Sequence, residues 1–179
     1  MKICKLLIAL VAISAAFQVV AETSEAESNR ISVEWQDPKD FTDMKATNGH
    51  RQRFRENTMN ELEEYLAKLA EDLPDGQTLK MVVTDVDLAG RVWPGRFVGF
   101  DSATDVRVVK RIDIPRMNFK YELLDANGDT IKSDEIKLKD MGFQDSGITR
   151  HDHGSLRYEK RMLKRWFKRE FDEQLVAMN

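Results

Sequence analysis

The sequence predicts an α+β domain in two layers: an antiparallel sheet of about four strands, with two amphipathic helices packed on one face. Three stretches predict it. Met117–Leu138 holds two runs of β-type alternation around Asp125-Ala126-Asn127-Gly128-Asp129, which is hairpin turn chemistry. His50–Leu73 and Ser155–Leu175 each place large apolar residues at three- and four-residue spacing, the stripe of a helix lying on a core.

The hairpin admits two registers. A two-residue turn at Asn127-Gly128 sets Phe119 opposite Ile136, Met117 opposite Leu138 and Lys120 opposite Glu135, an ion-pair match. A type I turn over Asp125–Gly128 with a left-handed Gly128 pairs Leu123 with Ile131 and puts Phe119 opposite Glu135. The apolar tails favour the first, and the turn residues suit either. One slip exchanges the two faces, so the choice decides the core. Asp125, Asn127 and Asp129 also match positions one, three and five of a calcium loop. Thr130 then stands where Gly is needed and Ile136 where the bidentate Glu is needed, so the run reads as a turn.

Residues 1–21 read as a cleaved Sec-type signal peptide. Lys2 and Lys5 precede the apolar run Leu6–Val20, and Val19-Val20-Ala21 offers small residues to a signal peptidase. The run is short for a membrane span, which needs roughly 20 apolar residues. Cys4 is the only cysteine and lies before the apolar run, so there is no lipobox. A mature chain without cysteine excludes disulfides, thiolate nucleophiles and cysteine metal sites. The expected location is periplasmic or secreted, with no integral membrane segment. Removing residues 1–21 from the 179 leaves 158, one ordinary domain. The formal charge moves from −3 to −5 on loss of the two lysines, a balance unlike that of a general nucleic-acid binder.

Along the mature chain, 22–30 is a polar flexible tail, and 31–179 forms a single α+β domain. Ile31–Trp35 alternates as a short strand and Asp37-Pro38 stops it. The first helix buries Phe54, Leu62, Tyr65, Leu66, Leu69 and Leu73, and Pro74-Asp75-Gly76 ends it. Leu79–Ala89 is a strand whose Val82, Val86 and Leu88 share one face, with Asp85 and Asp87 on the other. Two carboxylates at that spacing, roughly 6–7 Å apart, suit acid–base work or a cation; the plainer reading pairs them with Arg91 or Arg107 on a solvated face. Gly90–Gly99 is a loop or lid around Trp93-Pro94-Gly95, and Val106–Ile114 a further strand. Arg107, Lys110, Arg111 and Arg116 form either a basic strip or ordinary strand charge. In the loop 139–154, His151-Asp152-His153 suits zinc or copper only if carboxylates complete the site, since His50 is the only other histidine; the plainer reading is an exposed loop. The last helix has Ser155 as N-cap and a stripe of Leu156, Leu163, Phe167, Phe171 and Leu175, widened by Tyr158, Met162 and Trp166. Its opposite face, with Lys160 and Lys164, is strongly basic and suits anionic lipid or acidic polymer, while the aromatic stripe suits packing on the sheet.

The candidate binding residues are therefore Asp85, Asp87, Arg91, Trp93, Arg107, Arg111, Lys160 and Lys164. No catalytic set, cofactor motif or metal quartet is present: there is no Gly-rich phosphate loop and no Gly-x-Ser-x-Gly. The leading expectation is a non-catalytic cell-envelope module, monomer or homodimer, that binds an envelope protein or an anionic envelope component. The alternative is a small cation-dependent hydrolase using Asp85 and Asp87 with His151 and His153.

The runs Val33-Glu34-Trp35 with Phe41-Thr42-Asp43, Thr84–Gly90 and Val106–Val109, followed by Pro115-Arg116, Leu124-Asp125 with Gly128, and Tyr158–Leu163 with Trp166-Phe167, form a pattern. In that pattern the chain resembles the domain of unknown function 3016 family of secreted or periplasmic proteobacterial proteins. The resemblance implies no established activity and carries over no catalytic residue. The layout is also similar, more loosely, to small lipopolysaccharide-assembly accessory domains, from which it departs by lacking an anchoring cysteine.

Overall fold

In the structure, a computed structural model, residues 30–47, 49–100, 104–145 and 154–176 are described. The elements are β1 (Ile31–Trp35), α1 (Arg51–Ala70), β2 (Thr78–Asp87), β3 (Arg91–Pro94), β4 (Asp105–Val108), β5 (Arg116–Leu124), β6 (Thr130–Lys139) and α2 (Arg157–Val176). The main sheet runs β1-β2-β5-β6, and β3-β4 form a separate two-stranded ribbon.

The β5–β6 hairpin contains both registers foreseen from the sequence. Its tails pair Phe119 with Ile136, Met117 with Leu138 and Lys120 with Glu135. Its tip is the other solution: Gly128 N–H donates to Asp125 O at 3.0 Å, Asp125 N–H donates to Asp129 O, and Gly128 has φ 88°. A bulge reconciles them. Leu124 pairs with Thr130 but Leu123 with Lys132, leaving Ile131 as the extra residue. The Asp125 carboxylate accepts the backbone N–H of both Asn127 and Asp129 at 2.9 Å, which holds its pKa below the ordinary range.

The correct tail register fixes which face is dry. Met117, Phe119, Tyr121 and Leu123 of β5 are buried with Leu79, Met81 and Val83 of β2. Both helices cover that face. Leu62, Leu66 and Leu69 of α1 and Met162, Leu163, Trp166, Phe167 and Phe171 of α2 belong to the same core. The indole of Trp166 lies edge-on to Phe119, Tyr121 and Phe171, with centroids 4.7, 5.6 and 5.6 Å away. The helical stripes match those read from the sequence, and Leu175 lies beyond the side chains described.

Several details differ from the sequence reading. The sheet is mixed, because β1 runs parallel to β2; α1 supplies the crossover that a parallel pair requires. In β2 a bulge between Val83 and Asp85 makes Thr84 the extra residue. The buried set is therefore Leu79, Met81, Val83 and then Val86, while Val82 pairs with Lys120 on the open side, away from Val86. Were Thr84 paired in the ladder instead of bulged out, strict alternation from Leu79 would turn Asp85 and Asp87 into the core. Gly90–Gly99 is not a free loop: Arg91–Pro94 is β3, and Pro94 closes it beside Asp105, where a missing N–H is tolerated. The strand expected over Val106–Ile114 stops at Val108, because Lys110–Asp113 close a turn through Asp113 N–H to Lys110 O. Ser155 does not cap α2. Leu156 O accepts the first helical bond from Lys160, and the Ser155 hydroxyl bonds Glu61 Oε2 of α1 instead.

Candidate functional site

Asp85 and Asp87 do share the open face of the sheet, and both are engaged there. Asp85 accepts the Thr42 backbone N–H at 2.7 Å and the Thr42 hydroxyl at 2.9 Å, pinning the segment after β1. Asp87 bonds Arg116 Nη1 at 2.6 Å; partial burial still raises its pKa against that guanidinium. Neither pairs with Arg91 or Arg107. His151 and His153, the partners that a hydrolytic site needs, lie outside the described residues.

The basic residues expected to line a strip disperse. Arg107 turns inward, donating to both oxygens of Asp43 and to the carbonyls of Gly90 and Lys45. Arg91 pairs with Asp113 at 2.9 Å and Arg111 with Asp145 at 2.9 Å. Trp93, 37% exposed, carries Lys110 Nζ 4.7 Å from its ring centroid. Arg107, alternating with Val106 and Val108 on a short strand, looked solvated in sequence; nothing local signals that Asp43, 64 positions away, meets it.

Lys160 and Lys164 come together with residues that sequence reasoning missed. A groove of about 540 Å³ runs between α1 and α2, with Tyr65 and Leu69 on one wall and Lys68, Arg157, Lys160 and Lys164 along it. Arg161 also borders it, and Glu71 and Asp72 stand at one end. Lys160 is held by Glu61 at 2.8 Å and lies 5.6 Å from the Tyr65 ring. Arg157 stacks on Tyr158. Lys68 and Lys164 are exposed and have no ion pair among the described residues. Lys68 gave no signal in sequence, because it lies beside the α1 stripe among acidic neighbours.

A second cavity, about 330 Å³, is bordered by Phe54, Thr58, Leu88, Arg107 and Glu159. Glu159 is buried, with Oε1 accepting the Ala89 N–H at 2.7 Å and Oε2 without a hydrogen-bond partner among the described residues. Burial pushes its pKa up, although the Ala89 N–H and nearby Arg107 oppose this; Glu61 adds to the rise. The spacing shows why it is buried. Glu159 sits three residues after Leu156 and four before Leu163, on the apolar stripe itself, where the sequence reading counted only hydrophobic residues.

Asp85 and Asp87 line neither cavity, nor a smaller one between α1 and β1. Among the described residues, no three His, Cys, Asp or Glu side chains converge to hold a metal, and no helix is long and apolar enough to cross a membrane.

No curated protein and no solved structure matches the chain. The family model described as protein of unknown function (DUF3016) matches residues 29–169, from the residue before Arg30 to within α2 and across the whole main sheet, so the chain belongs to that family.

Proposed function

We propose that the protein is a non-catalytic binding module of the cell envelope, exported by residues 1–21, that holds an anionic envelope component in the groove between α1 and α2. One observation carries the binding part: four cations, Lys68, Arg157, Lys160 and Lys164, converge on a single concave surface with an aromatic wall. With Arg161 added and Glu71 and Asp72 at one end subtracted, the lining carries five cations against two anions, and a cleft with a net positive lining concentrates anions. The chain as a whole is acidic at −3, so this local reversal of sign is a feature of the groove. Export is supported by Lys2 and Lys5 ahead of Leu6–Val20 and by the small residues at Val19–Ala21. The non-catalytic part is supported by the side chains: Asp85 and Asp87 are occupied by Thr42 and Arg116.

Titration calorimetry with pyrophosphate as the probe tests the groove. Binding is expected to weaken with salt and to fall at least tenfold in Lys68→Glu/Lys164→Glu. Affinity that survives the double reversal rejects the groove. Mass spectrometry of the chain recovered from the envelope fraction tests export; an intact Met1–Ala21 segment rejects cleavage.

A further inference from the structure

Among the described residues, four of the six large apolar side chains left exposed, Trp93, Phe97, Phe100 and Ile112, lie on the β3–β4 ribbon and its turns. Phe97 is 79% and Phe100 58% exposed in the turn that follows β3, and Ile112 is 79% exposed in the turn after β4. Such residues in the open mark an interaction surface. Its occupant is indicated by what stands beside each one. Arg96 precedes Phe97, Lys110 covers Trp93, and Arg111 precedes Ile112. Of the cations between residues 91 and 113, Arg91, Arg107 and Arg111 are held by Asp113, Asp43 and Asp145, which leaves Arg96 and Lys110 exposed beside the apolar side chains, with no ion pair among the described residues.

Protein–protein interfaces are depleted of lysine but enriched in arginine and aromatic residues, so the cation that argues against one here is Lys110. Apolar tips alternating with cations suit a bilayer surface instead, with rings at the acyl boundary and cations among the phosphates. The last helix cannot fill this role with its own apolar face. Trp166, Phe167 and Phe171 are buried against the sheet, so only its charges face outward.

We infer that the β3–β4 ribbon docks the protein on an anionic lipid surface, with Phe97 and Phe100 entering the interface and Arg96 and Lys110 contacting lipid phosphates. This surface is separate from the groove and stands whether or not the groove binds a ligand.

The test is co-sedimentation of the exported protein with phosphatidylglycerol/phosphatidylethanolamine vesicles and with phosphatidylcholine vesicles. Every variant keeps the same amino terminus, so residues 1–21 contribute equally to all. The wild type is expected to sediment with the anionic vesicles only. Phe97→Ala/Phe100→Ala and Arg96→Glu/Lys110→Glu are each expected to weaken binding at least fivefold, with far-UV dichroism unchanged. Brominated lipid is expected to quench fluorescence in the wild type and to lose that effect in Trp93→Phe. Three vesicle outcomes overturn the inference: no binding to anionic vesicles, ribbon variants that bind like the wild type, or loss of binding only in Lys68→Glu/Lys164→Glu. A dimer mass by light scattering that Phe97→Ala/Phe100→Ala reduces to monomer assigns the ribbon to a second copy and also overturns it.

Discussion

Arg107 and Asp43 meet head-on from positions 64 apart, Nη1 to Oδ2 at 3.0 Å and Nη2 to Oδ1 at 3.3 Å, with both side chains largely shielded from solvent. The same guanidinium reaches the carbonyls of Gly90 and Lys45, so one side chain ties β4 to the segment after β1 and to the end of β2. Removing one partner strands the other charge. Arg107→Ala is expected to destabilise the fold by about 3–5 kcal/mol in urea denaturation. Arg107→Lys should recover only part of this, because an ammonium cannot reproduce the two-oxygen contact. Asp43→Ala combined with Arg107→Ala should lose less than the sum of the two.

Glu159 makes stability depend on pH. Its folded pKa lies above that of the unfolded chain, because burial disfavours the charged form. The folded protein therefore holds the extra proton between those two values. Stability is greatest below the unfolded value and falls as pH rises toward the folded one. Glu159→Gln keeps an acceptor for the Ala89 N–H and cannot ionise. Its thermal midpoint is expected to exceed the wild type's at neutral pH and to match it near pH 4. A wild-type midpoint with the same pH profile as the variant would show that Glu159 does not titrate in the fold.

Trp166 is the keystone of the helix–sheet contact, touching Phe119, Tyr121, Phe167 and Phe171. Trp166→Ala is expected to cost about 3–5 kcal/mol, the range for truncating a buried aromatic. Its Nε1 has no hydrogen-bond partner among the described residues, so Trp166→Phe forfeits packing alone and should lose less. Equal losses in the two variants would show that ring volume is not what matters there.

Two glycines with similar backbones should respond differently to alanine. Gly128 has φ 88° with open space around a would-be Cβ, so Gly128→Ala should cost only the left-handed strain, about 1–2 kcal/mol. Gly90 has φ 83° and a would-be Cβ 2.7 Å from the Val108 carbonyl oxygen, which is part of the ribbon backbone. Gly90→Ala should cost clearly more and loosen the β3–β4 pairing, read by amide exchange at Val92 and Val108.

The fold was legible wherever one period ran uninterrupted. The stripes through Leu62, Leu66 and Leu69 and through Leu163, Phe167 and Phe171 named the buried faces, and Phe119 opposite Ile136 oriented the sheet. Legibility failed where a single residue reset the period. Thr84 put Val82 and Val86 on opposite sides of the sheet, a change that composition does not announce. The parallel β1 was hidden because strand direction depends on the crossover and not on the strand itself. Of the candidate site, Lys160 and Lys164 were visible as a basic helix face, but Lys68 was not, since the groove exists only once two helices lie side by side. Arg107 was misread because its partner lies far away in sequence, and Glu159 because a polar residue on an apolar stripe was passed over.

The bulge at Ile131 separates the length of the hairpin tip from the alignment of the sheet. A three-residue loop is joined to strands aligned as if by a two-residue one, and the mismatch is absorbed above Leu123, at an exposed side chain. Insertions or deletions of one residue at the tip can therefore be taken up locally, leaving Phe119 and Tyr121 under Trp166. Across the family, chain length is expected to vary between Leu124 and Lys132, and loss of Thr84 alone is expected to leave Asp85 and Asp87 outward, because Val83, Asp85 and Val86 already face Phe119, Asn118 and Met117 in unbroken order.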